Sequence, residues 1–474
     1  MPTMLHDARP LELDATPLQV LAGWPAERPV AFLHSGRLNA RWSRYSVIAE
    51  PRGTLVSERG RSRWAGPAHP GPLALHDDAL RCLDRVTRDD DALYLGYLGY
   101  ELAHAIEPVL GPAPVPDDDR SSDVWPELIM HRCPVAWVYD HREGRWSVVG
   151  PDASDGLAPP RAPGADAPAP GFDASPPVPD EPRPAHEARV RRALDYIAAG
   201  DVFQVNLAHR FSSGFRGSPR ALFAALAAVS PAWYGAYVEL PADDGRPARA
   251  LASTSPELFL KLDPDGTVTT RPIKGTRPAG ADGPDGAADA LRESAKDAAE
   301  LNMIIDLLRN DLGRVCSYGS VKVTQPRTIE SHPTVHHGVA TITGRLHADR
   351  RLRHLLRATF PGGSITGAPK VRAMQIIREL EAGPRGPYCG AIGVVRGGTR
   401  GGDDPSRADG AGGPVANLSI AIRTLLVDPA AGRVNFHVGG GIVADSDPAD
   451  EYAETLHKAE ALRRALAANE PVGP

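Results

Sequence analysis

The order of strand-like and helix-like patterns is the feature that most constrains the fold of this chain. Short apolar runs separated by turn residues, such as VAFLHSG and RYSVIAEP (residues 30–36 and 44–51), recur in the first 150 residues. After residue 185, helical patterns and alternating strands follow in irregular order, without a regular βαβ repeat. This arrangement is typical of α+β proteins with antiparallel sheets. The patterns predict that fold class and leave the topology open.

The composition favours a globular protein that acts on small molecules. The 474 residues are 42% apolar, which is ample for one large domain or for two or three average ones. A net charge of −6 argues against a nucleic-acid or membrane-surface partner, because both need an excess of Lys and Arg on one face. No apolar run reaches the roughly 18 residues of a membrane helix. The four cysteines have no CxxC spacing, so we expect a cytoplasmic protein without a zinc or disulfide framework.

Two segments of low complexity divide the chain. Residues 151–185 carry Pro, Ala, Gly and Asp and almost no large apolar side chain, so they cannot offset the entropy of ordering. We predict a linker there, between an N-terminal part at residues 1–150 and a C-terminal part at residues 186–467. A second tract at residues 396–414 is predicted to be an exposed hairpin insertion.

The C-terminal part contains several clear periodic patterns. Residues 203–208 alternate apolar and polar side chains, which predicts a half-buried strand with Phe203 on its apolar face. Residues 298–309 show a helical apolar stripe, and residues 415–426 are predicted to form one strand. A closing helix is predicted to begin after Asp447 as N-cap and to end near residue 467.

The stretch TRPIKGTRPAG (residues 270–280) contains a single lysine, Lys274, which lies where a strand-like run meets a glycine. Pro272 fixes φ and Gly275 relaxes the backbone, so the path of the chain helps to direct the Lys274 side chain. Such a lysine can be held pointing into a cleft. Most single lysines lie on the surface, and these residues alone leave both interpretations open.

Three carboxylates are candidates for a metal site. Glu451 and Glu454 share one face of the closing helix with Lys458, and Glu300 lies on the apolar side of its predicted helix. One interpretation is a solvated face with a Glu454–Lys458 ion pair. The other is Mg²⁺ held by carboxylates, which magnesium prefers. The spacing does not show that Glu300 and Glu454 meet in space.

Other candidates also allow two interpretations. The loop FPGGSITGAPK (residues 360–370) does not match GxxxxGK[ST], so it is either a tight loop or a generic anion site at a helix start. Arg423 is either an exposed strand residue or a bidentate hydrogen-bond donor to a carboxylate. Tyr388 is a core residue or a hydroxyl donor, and His336 and His337 are core residues or a catalytic base.

Taken together, these stretches resemble the chorismate-utilising enzymes, in the branch that contains aminodeoxychorismate synthase component I and anthranilate synthase component I. The matching stretches follow the family order through nearly all of residues 186–465: GDVFQVNL, STSPELFL, RPIKGT, AELNMIIDLLRNDLGRV, HPTVHHGV, FPGGSITGAPKVRAM, RGPYCGAIG, NLSIAIRT and GGGIVADSDPADEYAETLHKA. The N-terminal part matches more weakly, through FLHSG, SRYSVIAEP and YLGYLGYE.

The resemblance implies one αββα sandwich, in which two large antiparallel sheets have helices outside and the N-terminal part is woven into both. It implies Mg²⁺ bound by Glu300 and Glu454, with Glu451 beside them, and capped by a chorismate carboxylate. The residues implied to hold the other carboxylate are Tyr388, Arg423, Lys458, Gly440 and Gly441. Thr366 and His337 are implied to line the ring side of the catalytic pocket.

The identity of residue 274 selects a branch within this family. Anthranilate synthases carry PIAGT where this chain carries PIKGT, which matches aminodeoxychorismate synthases. In that branch, the resemblance implies that the Lys274 amine attacks C2 of chorismate while the C4 hydroxyl leaves. Ammonia then adds at C4 and the lysine departs, with Glu257 as general acid and base for the hydroxyl. The expected product is 4-amino-4-deoxychorismate, a precursor of 4-aminobenzoate and folate.

The resemblance also implies a partner. None of the four cysteines lies in the GxCxG-like elbow of a class I glutaminase, so ammonia is expected from a separate glutaminase subunit. Some family members have a tryptophan pocket near the first strands. Ser35 and Tyr234 match that pocket, whereas Trp233 replaces a proline, so tryptophan binding stays open.

Three alternatives remain. An isochorismate or salicylate synthase would use an equivalent lysine to activate water, and anthranilate synthase component I belongs to the same branch. A regulatory protein with an inactive site is an alternative of another class. The presence of Lys274, Glu300 and Glu454 argues against an inactive site.

Overall fold

The computed structural model describes residues 8–67, 69, 78–88, 90–113, 124–150, 171–242, 247–278, 286–331, 335–397 and 415–468. Within these residues the strands form two large sheets, and all their pairings are antiparallel. Helices cover the outer face of each sheet. The predicted α+β class and αββα sandwich are therefore confirmed.

The strands, numbered along the chain, are β1 (Arg9–Leu11), β2 (Ala31–His34), β3 (Tyr45–Ala49), β4 (Thr54–Glu58), β5 (Arg61–Ala65), β6 (Leu93–Leu98), β7 (Leu128–Cys133), β8 (Ala136–Asp140), β9 (Arg145–Val149), β10 (Phe172–Ala174), β11 (Val178–Pro179), β12 (Gln204–Gly217), β13 (Tyr234–Leu240), β14 (Arg249–Ser255), β15 (Leu258–Leu262), β16 (Thr267–Arg271), β17 (Ile273–Pro278), β18 (Lys322–Ser331), β19 (Val335–Arg345), β20 (Gly367–Ala368), β21 (Ala391–Arg396), β22 (Val415–Ile420), β23 (Thr424–Asp428) and β24 (Arg433–Ile442).

The helices are α1 (Pro17–Ala22), α2 (Ala79–Val86), α3 (Leu102–Ile106), α4 (Arg183–Ala198), α5 (Pro219–Val229), α6 (Gly286–Glu293), α7 (Ala295–Gly313), α8 (Leu352–Thr359), α9 (Lys370–Leu380) and α10 (Pro448–Ala467). Short 3₁₀ turns occur at Pro108–Leu110 and Gly363–Ile365. Among the described helices, none has both the length and the apolar character that crossing a membrane requires.

The first sheet has the strand order β1-β9-β8-β3-β2-β13-β14-β23-β24-β12-β10, with β11 and β20 also paired to β12. The second sheet has the order β17-β19-β16-β15-β22-β21-β6-β7-β4-β5, with β18 also paired to β19. Strands from the first 150 residues enter both sheets, where β2 pairs with β13 and β6 pairs with β21. The N-terminal and C-terminal parts therefore share a single core.

The two sheets pack face to face because their strands alternate. In β13, Ala236 and Val238 face the second sheet and contact a cluster that includes Ile129. The residue between them, Tyr237, faces the helices and packs in a cluster with residues of α1, α5 and α10. Helices α2, α7, α8 and α9 cover the second sheet in the same way. This period of two is the one that the pleat of a strand imposes.

Two of the points at which the chain crosses between the sheets are neighbours. The first crossing connects β14 to β15 at residues 256 and 257, and the second connects β22 to β23 at residues 421–423. The predicted single strand at residues 415–426 is therefore wrong. Arg423 breaks it with a φ of +52°, which no strand allows.

Several predicted boundaries also need correction. The linker ends earlier than residue 185, because β10, β11 and the start of α4 lie within its C-terminal half. Phe203 lies outside the strand and is 72% exposed, so it is not on an apolar face. Residues 151–170 and most of the tract at 396–414 lie outside the described residues. Helix α10 begins and ends as predicted, and the Asp447 carboxylate accepts hydrogen bonds from two amides of its first turn.

Candidate active site

Lys274 lies in β17, and close packing of the backbone fixes the path of that strand. Pro272 separates β17 from β16. Gly275 has a φ of +79°, and a Cβ there would lie 2.7 Å from Leu291 Cδ1. On the other side, a Cβ at Gly338 of β19 would lie 2.6 Å from the Lys274 carbonyl oxygen. Any side chain at either glycine would therefore displace the strand that carries the lysine.

The Lys274 amine lies in a cleft between elements of both sheets. Its side chain is 14% exposed, and Nζ donates a hydrogen bond to Glu300 Oε2 of α7 at 2.9 Å. A Cβ at Gly441 of β24 would lie 2.6 Å from this Nζ and 2.9 Å from Gln204 Nε2 of β12. The amine, the amide and the glycine backbone thus meet at one place.

Helix α10 contributes two more carboxylates to the same cleft. A Cβ at Gly440 would lie 2.9 Å from Glu451 Oε2 and 3.9 Å from Glu454 Oε1. Lys458 Nζ lies 2.6 Å from Glu454 Oε1 and donates a hydrogen bond to the Gly439 carbonyl oxygen at 2.9 Å. The absence of side chains at the end of β24 therefore leaves room for the acidic face of α10.

The electrostatics of this acidic face depend on burial and on the lysines. Burial raises the pKa of Glu451, the nearby charge of Glu454 raises it further, and Ser446, which donates to Glu451 at 2.5 Å, acts against both. The ammonium of Lys458 lowers the pKa of Glu454, and Lys274 acts in the same direction. Since Lys274 also binds Glu300, it interacts with carboxylates of both α7 and α10.

This donor set fits a magnesium ion. Glu300, Glu451 and Glu454 offer the carboxylate oxygens that Mg²⁺ prefers, and Glu300 and Glu454 form ion pairs with lysine side chains. A divalent cation would also relieve the like-charge contact that raises the pKa of Glu451. Lys274 binds Glu300 and lowers the pKa of Glu454, so both carboxylates interact with the same lysine. Glu454 also forms the ion pair with Lys458 that its helix spacing predicts, with its side chain 53% exposed. Whether Glu300 and Glu454 bind one ion therefore stays a prediction.

Glu257 is the residue at the first crossing between the sheets. It is only 5% exposed, and burial raises the pKa of its carboxyl from 4.5 to about 7. Ser364 donates a hydrogen bond to Glu257 Oε1 at 2.6 Å, and the charge of Lys274 lowers the same pKa. A carboxyl group that changes its protonation near neutral pH, close to an amine, is suited to general acid or base catalysis.

Arg423 and Tyr388 lie at the second crossing, beside Glu257. The Ile420 amide donates to the Glu257 carbonyl oxygen at 3.0 Å, and the Thr254 amide donates to the Arg423 carbonyl oxygen at 3.1 Å. Burial lowers the pKa of the Arg423 guanidinium, and no carboxylate in the described ranges forms an ion pair with it. Tyr388 is buried with its ring stacked on His437 at 5.2 Å. Of the two interpretations of Arg423, the exposed strand residue is excluded.

Thr366 and Ser364 are held in place by the loop between α8 and α9. The Thr366 hydroxyl donates to the Gly362 carbonyl oxygen at 2.9 Å, and the Asn206 amide donates to the Thr366 carbonyl oxygen at 2.8 Å. Arg385 donates to the carbonyl oxygens of Ile365 and Asn206 at 3.0 and 2.8 Å. The loop is thereby fixed against β12, with the Ser364 hydroxyl directed at Glu257.

Three further candidates from the sequence, Lys370, His336 and His337, are also placed by the structure. Lys370, the lysine of FPGGSITGAPK, pairs with Asp311 at 2.5 Å and donates to the Thr359 carbonyl oxygen. It therefore faces the protein interior. His337 is buried in β19 opposite Thr276, which lies two residues after Lys274 in β17. His336 accepts or donates a hydrogen bond to Ser331 at 2.9 Å.

Sequence reasoning missed three residues of this site, namely Gln204, Ser364 and Arg385. Gln204 is fully buried, and neither atom of its amide has a hydrogen-bond partner among the described residues. The alternating pattern of β12 did not indicate this, because the burial of its polar face appears only in the structure. No pattern along the chain indicates that Ser364 meets Glu257 or that Arg385 fixes the loop, since both contacts join distant segments.

A second cavity lies near the first strands, apart from the residues around Lys274. It has a volume of about 300 Å³, and Ser35 and Tyr234 line it together with Trp42 and Trp233. The Ser35 hydroxyl donates to the Tyr45 carbonyl oxygen at 2.8 Å, and burial raises the pKa of Tyr234. The structure thus brings Ser35 and Tyr234 together, and tryptophan binding there stays a prediction.

Comparison with known proteins identifies relatives over nearly the whole chain. The sequence profile of the family described as chorismate binding enzyme matches residues 31–464. Aminodeoxychorismate synthase of Streptomyces pristinaespiralis is 35% identical over 93% of this chain, which spans 62% of that protein's length. Aminodeoxychorismate synthase component 1 of Klebsiella aerogenes is 36% identical, with 92% of this chain and 93% of that protein covered.

Relatives with another printed activity are equally similar. Anthranilate synthase component 1 of Thermus thermophilus is 34% identical, with 95% of each chain covered. The crystal structure of anthranilate synthase component I from Streptococcus pneumoniae superposes with a TM-score of 0.70 at 26% identity, with 95% of this chain and 97% of that one covered. Overall similarity therefore leaves the reaction within the family undecided.

Proposed function

Since the chain belongs to the chorismate binding enzyme family, we propose that it is an aminodeoxychorismate synthase component I. In this proposal it converts chorismate and ammonia into 4-amino-4-deoxychorismate through a covalent adduct on Lys274. The observation that carries the proposal is the place of the Lys274 amine, which lies 2.9 Å from Glu300 in a cleft lined by Gln204 and Gly441. An amine in that place can reach a substrate bound at the carboxylates.

The proposed reaction has two displacements. The free amine of Lys274 forms a bond to C2 of chorismate and loses a proton, both ring double bonds shift by one position, and the C4–oxygen bond breaks. Glu257 gives a proton to the departing hydroxyl, which leaves as water. Ammonia then forms a bond to C4, the double bonds shift back, and the C2–nitrogen bond to Lys274 breaks. The product differs from chorismate by an amino group in place of the C4 hydroxyl.

The remaining residues of the cleft bind the substrate in this proposal. Chorismate carries two carboxylates, and the cleft offers the cationic groups Lys458 and Arg423 together with the hydroxyl of Tyr388. Gly440 and Gly441 leave room for a carboxylate to approach the backbone. Thr366 and His337 complete the ring side. Magnesium, when bound by Glu300, Glu451 and Glu454, supplies charge neutralisation for a substrate carboxylate.

The source of ammonia is part of the proposal. A glutaminase subunit is the proposed partner, and 4-aminobenzoate for folate synthesis is the proposed use of the product. The similarity to aminodeoxychorismate synthase component 1 of Klebsiella aerogenes is consistent with such a partner. Free ammonium should replace the partner in vitro, so the isolated chain can be assayed alone.

One assay separates the proposed reaction from its alternatives. Purified protein is incubated with chorismate, Mg²⁺ and ammonium, and the products are identified by mass. We expect 4-amino-4-deoxychorismate. Isochorismate or salicylate without an aminated product would assign the chain to the water-using alternative. Anthranilate would assign it to the activity printed for the Thermus thermophilus relative, although PIKGT in place of PIAGT argues against this.

The magnesium site predicts a specific metal dependence. Activity should disappear with a chelator and return with Mg²⁺. In Glu454→Gln, the Mg²⁺ concentration needed for half-maximal activity should rise by at least about tenfold, because a carboxylate ligand is lost. The control is Glu460→Gln, an exposed glutamate on the same helix. An unchanged Mg²⁺ titration in Glu454→Gln would remove that residue from the metal site.

The hydrogen bond from Ser364 predicts a shift in the pH profile. This bond lowers the pKa of Glu257, so its loss in Ser364→Ala should raise that pKa. The pH above which kcat/KM declines should move upward by about one unit, the equivalent of one charge-assisted hydrogen bond. Ser320→Ala, which removes a hydroxyl that donates to the Ser317 carbonyl oxygen, should leave the profile unchanged. A downward shift in Ser364→Ala would contradict the assigned contact.

A further inference from the structure

A cluster of metal-ligating side chains lies apart from the acidic cleft, on another side of α10. It consists of Glu181, just before α4, His186 in the first turn of α4, and His209 in β12. One ligand atom from each of these residues lies within 4.8 Å of the other two. Both imidazoles are buried, at 1% and 3% exposure.

Two polar atoms of this cluster, His186 Nδ1 and His209 Nδ1, have no hydrogen-bond partner within the described ranges. Glu181 Oε1 forms an ion pair with the Arg189 guanidinium and lies 3.4 Å from His186 Nδ1. The two imidazole rings have centroids 4.5 Å apart. A buried polar atom without a partner costs about 1–3 kcal/mol, so two of them beside a carboxylate call for an explanation.

The other side of the cluster is organised as the surroundings of a metal ligand usually are. His209 Nε2 shares a hydrogen bond with Thr455 Oγ1 at 2.8 Å, which fixes the ring and leaves Nδ1 facing the cluster. Metal-bound imidazoles commonly use their second nitrogen in this way. Tyr452 packs against both rings and excludes solvent.

The charges around the cluster are mixed. Arg189 contacts Glu181, while Glu381, Glu451 and Glu187 act on His186 as negative charges. Within the described ranges, carboxylates therefore outnumber the guanidinium around the ligand atoms.

We propose that Glu181, His186 and His209 bind one divalent transition-metal ion of the zinc class. Two imidazole nitrogens and a carboxylate oxygen are a ligand set found for Zn²⁺ with a water in the fourth position. Nitrogen ligands disfavour Mg²⁺, so this site and the acidic cleft select different ions. The bound ion joins the segment before α4 to β12 and stabilises the packing of both against α10.

The test is a zinc titration of the full chain, freed of metal with a chelator and kept in excess Mg²⁺. Isothermal calorimetry should show one zinc ion bound per chain, and Co²⁺ should give visible absorption bands of a low-coordinate site. His209→Asn should weaken zinc binding by at least about a hundredfold. Thr455→Val, which frees the second nitrogen of His209, should weaken it by about 10–100-fold. His347→Asn, which alters an exposed histidine, is the matched control.

Arg189→Gln should change the affinity for zinc in the opposite direction. Removal of the guanidinium beside Glu181 should tighten zinc binding several-fold, and a variant that merely misfolds cannot do so. Circular dichroism of each variant shows whether it is folded. The proposal is overturned if the wild-type chain binds no zinc in excess Mg²⁺, or if His209→Asn binds it as tightly as His347→Asn. Weaker binding by folded Arg189→Gln would also contradict it. Replacement of Glu454 should leave zinc binding unchanged, so the two metal sites are tested independently.

Discussion

Replacement of Lys274 by alanine is expected to lower the formation of 4-amino-4-deoxychorismate by at least about a hundredfold, the lower end of what one positioned catalytic group contributes. The physical reason is that the proposed route begins with a bond from the Lys274 amine to the substrate. Alanine has no nucleophile, and the 2.9 Å hydrogen bond to Glu300 is lost with it. The measurement is steady-state product formation with ammonium and Mg²⁺, together with the binding of chorismate by calorimetry.

Lys274→Arg separates the nucleophile from its charge. Arginine keeps the positive charge beside Glu300 but stays protonated at all accessible pH values, so it cannot attack carbon. We expect Lys274→Arg to bind chorismate and to remain as inactive as Lys274→Ala. Lys322→Ala, which alters an exposed lysine of β18, should behave as wild type. Full activity in Lys274→Arg would show that only the charge of residue 274 is used.

The covalent adduct offers a direct observation. When wild-type protein is mixed with chorismate and Mg²⁺ without ammonia, the second displacement has no nucleophile. Intact mass spectrometry after rapid denaturation should then show a fraction of the chain carrying the dehydrated substrate, and peptide mapping should locate it at Lys274. The absence of any adduct, combined with normal product formation in Lys274→Ala, would contradict the covalent route. It would not change the family to which the chain belongs.

The fold class could be predicted from local patterns because apolar side chains repeat every two residues in a strand and about every 3.6 residues in a helix. Alternation in strands such as β13 and the apolar stripe of α7 depend on which face is buried, and neighbouring residues report that directly. The N-cap of α10 was equally local, since Asp447 binds amides only two and three residues away. Such features need no knowledge of the rest of the chain.

The site was harder to predict because it is built where distant segments meet. The loop at residues 421–423 takes the chain from one sheet to the other, and the continuous apolar pattern through Ile420 and Leu425 hid this crossing. The apolar residues before and after the loop are all buried, but those before it lie in the second sheet and those after it lie in the first. The resemblance named Arg423 and Glu257, whereas only the crossing explains why the backbones of the two segments lie hydrogen-bonded side by side.

Gln204 is another residue whose place in the site could not be predicted from local patterns. The alternation of β12 placed it on a polar face, and polar faces usually meet solvent. In the structure Gln204 is fully buried where β12 pairs with β20, and its amide lies near Gly441 and Lys274. Amphipathic alternation reports which side chains differ in polarity. It cannot report whether the polar side closes an interior cleft.

The second large effect is expected for Glu257→Gln, which should lower kcat by about 10²–10⁴-fold. Glutamine fits the same space and can still accept from Ser364, but it has no proton to give to the departing hydroxyl. In the wild type, kcat/KM should decline as the pH rises above about 7, because the Glu257 acid loses its proton there. The residual activity of Glu257→Gln should lack this decline. Glu293→Gln, at an exposed position, should keep both the rate and the decline.

The same substitution should stabilise the folded protein at alkaline pH. Burial raises the pKa of Glu257 from 4.5 to about 7, so the folded state holds its proton more tightly than the unfolded state. Stability is therefore lost as the pH rises from about 4.5 through 7, and the total loss is about 3 kcal/mol. Glutamine carries no such penalty, so Glu257→Gln should unfold at a higher denaturant concentration than wild type at pH 8 and at a similar one at pH 4.5. A destabilised Glu257→Gln at pH 8 would mean that the carboxylate is needed in its charged form, and Glu257 could then not be the acid.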